Sequence, residues 1–281
     1  MTRLRAALGR TTFGGATLSL IGLLLALLWL VPLAWAVDTA LKPEAETTVM
    51  PVSWIPSEFT LEAFRIILGQ GDIIRWLFNS LLVASLVTIL TLALTSLAAY
   101  GFSRTTFPGR RWLFAAVLAG IMVPPQVLIV PLFDEMRALG LVDTYWGMIL
   151  PQLVAPAMVF ILKKFFDGIP RDYEEAAELD GASRLRIFWS VVLPMSRPIL
   201  AAVGIFTFIS AWNNFLWPFI VITDPEMMTI PVGLYSVQGS FGVRYAQTMA
   251  AALIAGLPLV ILYAILQRHV IRGVGQAGLK G

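Results

Sequence analysis

Glu174, Glu175, Glu178 and Asp180 crowd into one short run, with Arg184 and Arg186 close behind, in a chain where only 13% of residues are charged. Acids and bases at this density can move protons, ligate a metal or grip a charged partner, and the rest of the sequence decides between these. The chain has no cysteine and a single histidine, His269, so no thiolate site, histidine metal cluster or histidine dyad can be assembled. Gly273, Gly275 and Gly278 match the dinucleotide spacing G-x-G-x-x-G, but an apolar stretch rather than a strand precedes them, so the phosphate-binding turn is not expected. No G-x-x-x-x-G-K-[ST] loop occurs, so the chain is not expected to bind and split ATP by the P-loop route. The other polar groups set in apolar sequence are amides: Asn213 and Asn214 between Trp212 and Trp217, and Gln126 after Pro124 and Pro125. Amides and aromatic faces suit hydroxyl-rich solutes, although paired Asn also bridge neighbouring membrane helices.

The elements that carry these residues are membrane spans. The hydrophobic share is 58% and the mean hydropathy +0.81, whereas soluble domains carry about a quarter charged residues. Apolar runs of bilayer length at residues 16–37, 78–102, 112–133, 146–165, 199–222 and 246–266 predict six transmembrane helices in a single all-α domain. A β-barrel would alternate in polarity, which these continuous runs do not. Ala34-Trp35-Ala36 resembles a signal-peptidase site, but the run before it exceeds the secretory core of about 7–15 residues, so an uncleaved first helix is expected. Pro124, Pro125, Pro131, Pro151 and Pro156 would kink the third and fourth spans, as befits a cavity wall, although proline is also common in membrane helices.

Most of the 20 Lys and Arg fall in alternate connections: Arg3, Arg5 and Arg10, then Arg104, Arg110 and Arg111, then Lys163 to Arg197, then Arg268, Arg272 and Lys280. The positive-inside rule therefore places both termini, the charged run and the tail at 267–281 on the cytoplasmic side of the membrane. Trp54, Trp76 and Phe59 in the first outer connection are expected to anchor at the interface. No Asp, Glu, Lys or Arg lies well inside a span, which weighs against an ion-driven secondary transporter, where such groups are retained for function.

Within the stretch 170–198, Asp172 can cap a helix at 173–180, with Glu175 completing a capping box and Gly181 supplying the left-handed stop. Ser183 can cap a second helix running toward the fifth span. An eight-residue helix is marginal in water, and Glu174 and Glu178 repel at i and i+4, so the first arm needs something to lean on. Ala176, Ala177 and Gly181 would let another backbone approach, with Glu175 and Asp180 reaching its basic or amide groups. The alternative is a solvated connector.

Glu175-Ala176-Ala177, Asp180-Gly181-Ala182, Phe188, Leu193-Pro194 and Pro198 resemble the EAA loop of bacterial ABC importer permeases. Trp212 to Pro218, Thr229-Ile230-Pro231-Val232-Gly233-Leu234, Pro124-Pro125-Gln126 and Gly278-Leu279-Lys280-Gly281 resemble the carbohydrate, maltose-type branch of that family. Many relatives carry an acid where Asn214 stands, so no charged role is carried over to it. The resemblance implies a binding-protein-dependent permease subunit that is not itself an enzyme. Its coupling loop, through Glu175, Ala176, Ala177, Asp180, Gly181 and Ala182, would dock on the ATPase, and Gly278 and Lys280 of the tail would touch it. A second homologous permease, two ATP-binding subunits that hold ATP and Mg, and an extracytoplasmic solute-binding protein are the implied partners, with no cofactor on this chain and no nucleic acid. The solute pathway would pass Asn213, Asn214, Trp212 and Gln126. An importer of glycerol-3-phosphate or a glycerophosphodiester is the rival reading.

Overall fold

The computed structural model describes residues 13–51, 53–69, 72–238 and 244–278, and among these all regular structure is helical. In chain order the helices are α1 (Phe13–Ala40), α2 (Glu62–Gly69), α3 (Asp72–Arg104), α4 (Arg110–Ile121), α5 (Ile129–Ala138), α6 (Tyr145–Ile149), α7 (Pro156–Asp167), α8 (Asp172–Leu179), α9 (Arg184–Ile187), α10 (Leu193–Met195), α11 (Arg197–Trp212), α12 (Leu216–Val221), α13 (Ile230–Gln238) and α14 (Tyr245–Gly278). Three of them hold stretches long and apolar enough to cross a membrane: Thr17–Ala40, Asp72–Arg104 and Tyr245–Ile265. Three bent pairs pass the same test together, Arg110–Ile121 with Pro125–Ala138 at 97°, Tyr145–Leu153 with Pro156–Asp167 at 49°, and Arg184–Met195 with Arg197–Trp212 at 80°.

The prolines account for the first two bends. Pro124, Pro125 and Pro156 sit at the breaks, where a ring in place of an N–H ends one helix and starts the next. The third bend follows a π-helical turn at Phe188–Val192 and a stop at Ser196. The apolar run at 199–222 is not one continuous helix, because α11 ends at Trp212 and α12 starts only at Leu216. The run that ends the chain is helical as far as Gly278, so Gly273, Gly275 and Gly278 lie on a helix and form no phosphate-binding turn. Lys280 lies outside the described residues.

The chain divides into two compact units, Met1–Gln70 with Gln238–Ile254, and Gly71–Val237 with Ala255–Gly281. In the first, Ala40, Ala63, Ala246 and Ala250 make a small-residue core that lets backbones approach. Lys42 is 3% exposed there, paired with Asp38 at 2.5 Å and set over the Trp35 ring at 4.9 Å, while Trp35 packs edge-on against Trp54.

In the second unit α3 is the axis, with α7 and α11 packed along it. Three of its hydroxyls bond within the helix: Thr88, Thr95 and Ser96 donate to the carbonyls of Ala84, Thr91 and Leu92 one turn back. One core gathers Val83, Val87, Met148, Ile149, Phe208, Trp212 and Trp217, and a second gathers Ala99, Leu162, Phe166, Ile187, Val192 and Val203 near the Arg104 end. Trp76 is not an interfacial anchor but 5% exposed, its indole N–H donating to the Pro225 carbonyl at 2.9 Å. Asn79 donates to the carbonyls of Glu226 and Met228 and accepts from Tyr145, and Ser80 accepts the Ile230 N–H. The Thr229–Leu234 motif is therefore pinned to the first turns of α3.

Candidate functional site

The charged run folds as a helix–glycine–helix hairpin, α8 followed by α9. Its stop is a Schellman motif: Gly181 at φ +77° donates to the Glu178 carbonyl and Ala182 donates to that of Ala177, each at 2.9 Å. Ser183 accepts from Arg186 N–H and so caps α9. The start differs from the sequence expectation, because Asp172 is already inside α8 and no side chain caps it; the N–H groups of Glu174 and Glu175 bond to the Arg171 carbonyl instead. Asp172, Glu174 and Glu175 nevertheless occupy the first turn, where the helix dipole favours negative charge.

What α8 leans on is a buried ion pair that spacing alone could not reveal. Glu174 is 9% exposed, and its carboxylate meets the Arg104 guanidinium at 2.8 Å. Arg104 also donates to the carbonyls of Phe166 and Ile169 at 2.6 and 2.7 Å. One cation thus ties the end of α3, the end of α7 and the first turn of α8. Burial raises the Glu174 carboxyl above its ordinary range, and the Arg104 charge pulls it back. Beside it Ser103 donates to Asp167 at 2.7 Å, Lys163 pairs with Asp167 at 2.8 Å, and the Tyr100 hydroxyl donates to the Arg184 carbonyl at 3.2 Å. Tyr100 and Phe188 pack with ring centres 5.0 Å apart. Losing one member of a buried ion pair costs about 3–5 kcal/mol, since the survivor stays desolvated.

The hairpin residues divide by direction. Ala177 and Ala182 pack inward against the core of Leu162, Phe166 and Ile187, while Glu175, Ala176, Asp180 and Gly181 are exposed. Leu179 is 90% exposed at the tip. The exposed tip residue Leu179 and the anchoring role of Glu174 escaped the sequence reading; the signal for Glu174 was that α8 needed an anchor.

A cavity of about 400 Å³ opens between α3, the 125–132 and 151–158 segments and α11. Gln126 and Asn214 line it, together with Gln152, Thr207, Ser210 and Trp217, and none of its lining residues is ionisable. Pro125 and Pro151 form part of its wall. Asn214 donates to the Gln152 amide oxygen at 2.8 Å, Gln152 donates to the Met148 carbonyl, and Trp217 donates to the Gly147 carbonyl at 3.0 Å. The Thr207 hydroxyl is buried with no hydrogen-bond partner among the described residues. Asn213 and Trp212 stand apart from the cavity: Asn213 bonds back to the Ile209 carbonyl, and Trp212 stacks on Phe208 in the core.

Residues 91–276 match the family of binding-protein-dependent transport system inner membrane components. The chain belongs to this family. It is thus a multi-pass membrane permease subunit, and its relatives are permease subunits of sugar ABC transporters. The arabinooligosaccharides transport system permease protein AraQ of Bacillus subtilis is 34% identical over 267 residues, covering 94% of this chain and 95% of the relative. The sulfoquinovosyl glycerol transport system permease protein SmoH of Agrobacterium fabrum is 37% identical over 254 residues, covering 90% and 89%. A chain of a bacterial ABC transporter involved in import of the acidic polysaccharide alginate shares the permease fold, with a TM-score of 0.81 at 24% identity over 91% of this chain and 95% of that one.

Proposed function

We propose that this permease is one of two homologous membrane subunits of an ABC importer for a carbohydrate. The long helices α1, α3 and α14, the bent pairs α4–α5 and α6–α7, and the broken run α11–α12 serve as six spans, with both termini and the α8–α9 hairpin cytoplasmic. The hairpin docks on one of two ATP-binding subunits, which hold ATP and Mg and do the hydrolysis, and a solute-binding protein delivers cargo to the opposite face. The observation that carries this reading is the construction of the hairpin: an anchor buried at Arg104 and Glu174, and a tip that exposes Glu175, Leu179, Asp180 and Gly181. A solvated connector has no use for a buried ion pair, whereas a coupling element must be stiff at its base and open at its tip. Closure of the ATPases would shift the hairpin and tilt the bundle between inward- and outward-open states.

The carbohydrate reading draws support from the names of AraQ and SmoH and from the cavity, where amides and hydroxyls offer neutral hydrogen bonds beside an aromatic wall. Gln126, Gln152, Thr207 and Asn214 are the proposed solute contacts of this subunit. A phosphate-bearing solute would need cationic donors, which this wall lacks. The test is co-purification of the tagged complex from detergent for wild type, Glu175→Lys and Gly181→Asp. Loss of ATP-binding subunits with the two permeases still paired supports docking through the hairpin. Undiminished co-purification of both variants refutes it.

A further inference from the structure

We infer that Arg104 is a positioning residue that makes α3 move with the coupling hairpin, so that α3, and not only the chain-connected helices, carries the displacement to the cavity and beyond. This rests on the coupling role proposed for the hairpin. The covalent routes out of the hairpin are poor levers: toward α11 the chain passes a π-helical turn and an 80° bend, and toward α7 it passes the Gly168–Arg171 loop. Helix α3 has no break over 33 residues. Arg104 closes its end with three ligands from two other elements, Glu174 of α8, Phe166 of α7 and Ile169 beyond it. The guanidinium is planar, and its side chain is only 6% exposed. A rigid guanidinium that combines two hydrogen bonds with an ion pair transmits rotation as well as translation, which a single lysine contact could not.

Further along α3, Val87 forms part of the cavity wall. Near its other end Trp76, Asn79 and Ser80 hold the 225–230 segment. Asn79 lies about 37 Å along the axis from Arg104, at 1.5 Å per residue. One helix thereby joins hairpin, cavity and the opposite end of the unit, with Arg104 as the joint at the hairpin.

The chain has no cysteine, so two nitroxides can be placed on it at chosen positions and the labelled permease assembled with cysteine-free partner subunits. One goes on α8 (Glu178→Cys) and one near the start of α3 (Ile74→Cys), both at exposed positions. Their separation is measured by pulsed electron paramagnetic resonance in the assembled importer, without nucleotide and with ATP plus vanadate. Arg104→Gln could fail by leaving Glu174 buried and unpaired, so the Arg104→Gln/Glu174→Gln double variant, which buries no lone charge, is measured beside it. Wild type is expected to keep one narrow distance in both states. The Gln variants are expected to shift between states by about 2 Å or more, the scale of helix displacement in such switches, and Arg104→Lys to fall between. A wild-type distance that changes with nucleotide overturns the inference, as do Gln variants that match wild type. Crosslinking of the hairpin to the ATP-binding subunits, run on the same samples, separates the two claims: its absence in wild type refutes the docking proposal itself.

Discussion

Adding a single methyl group at Gly233 tests how the Thr229–Leu234 motif is held. A Cβ at that position would lie well inside van der Waals contact with the six-membered ring of Trp76. The ring cannot yield freely, since it is 5% exposed and its N–H holds the Pro225 carbonyl at 2.9 Å. Overpacking of this kind costs about 1–3 kcal/mol and the displaced hydrogen bond about 1 more, so Gly233→Ala should cost about 2–4 kcal/mol. At about 2–4 °C per kcal/mol for a unit of this size, the apparent melting temperature should fall by about 5–15 °C. The assay is thermal unfolding of the detergent-purified complex followed by size-exclusion fluorescence. Trp76→Phe in the Gly233→Ala background should recover part of the loss, because the smaller ring vacates the space. A Gly233→Ala protein that melts with wild type would refute the packing reasoning.

Gly181→Ala should destabilise the hairpin by about 1–2 kcal/mol through its φ of +77° alone, since open space surrounds the new methyl; faster amide exchange over 175–183 with little change in α3 checks this. Asp143 accepts from the Thr223 hydroxyl and from the N–H groups of Thr223 and Asp224, and these bonds hold its carboxyl below the ordinary 3.8. Because the folded value is depressed, its contribution is present above 3.8 and is lost as the pH falls through the folded value, so Asp143→Asn should flatten the acid limb of the melting profile. Asn214→Ala removes the donor to Gln152 and should cost only about 0.6 kcal/mol, the average for such bonds between membrane helices. An unchanged melt combined with altered solute uptake would assign Asn214 to the pathway rather than to packing.

Much of the fold was legible because the bilayer demands it: apolar runs of fixed length appear as α1, α3 and α14. The breaks were less legible. Prolines flagged the bends near 124 and 156, whereas the apolar run reads as one span through the interruption between Trp212 and Leu216, although Asn213-Asn214 and Pro218, whose ring denies a bond to the Asn214 carbonyl, mark it. In the hairpin, Gly181 and Ser183 take the backbone roles their types suggested, since a left-handed stop and a cap are local properties. Asp172 does not, because α8 starts one residue earlier, with the Arg171 carbonyl taking the N–H groups of Glu174 and Glu175. Likewise Trp76 looked like an interfacial aromatic until Gly233 was seen to make room for it. Gln126 and Asn214 come together on one cavity wall, whereas Asn213, adjacent in sequence, turns back onto its own helix.

The most direct test of the coupling role uses the absence of native cysteine. A single Leu179→Cys, carrying a maleimide–succinimide crosslinker, is placed in the assembled importer, with Thr223→Cys, on the connection after α12 that bonds to Asp143, as the control. The account predicts capture of an ATP-binding subunit from Leu179 and none from Thr223, with a yield that changes between nucleotide-free and ATP-bound states. Capture from neither position, or equal capture from both, would contradict it.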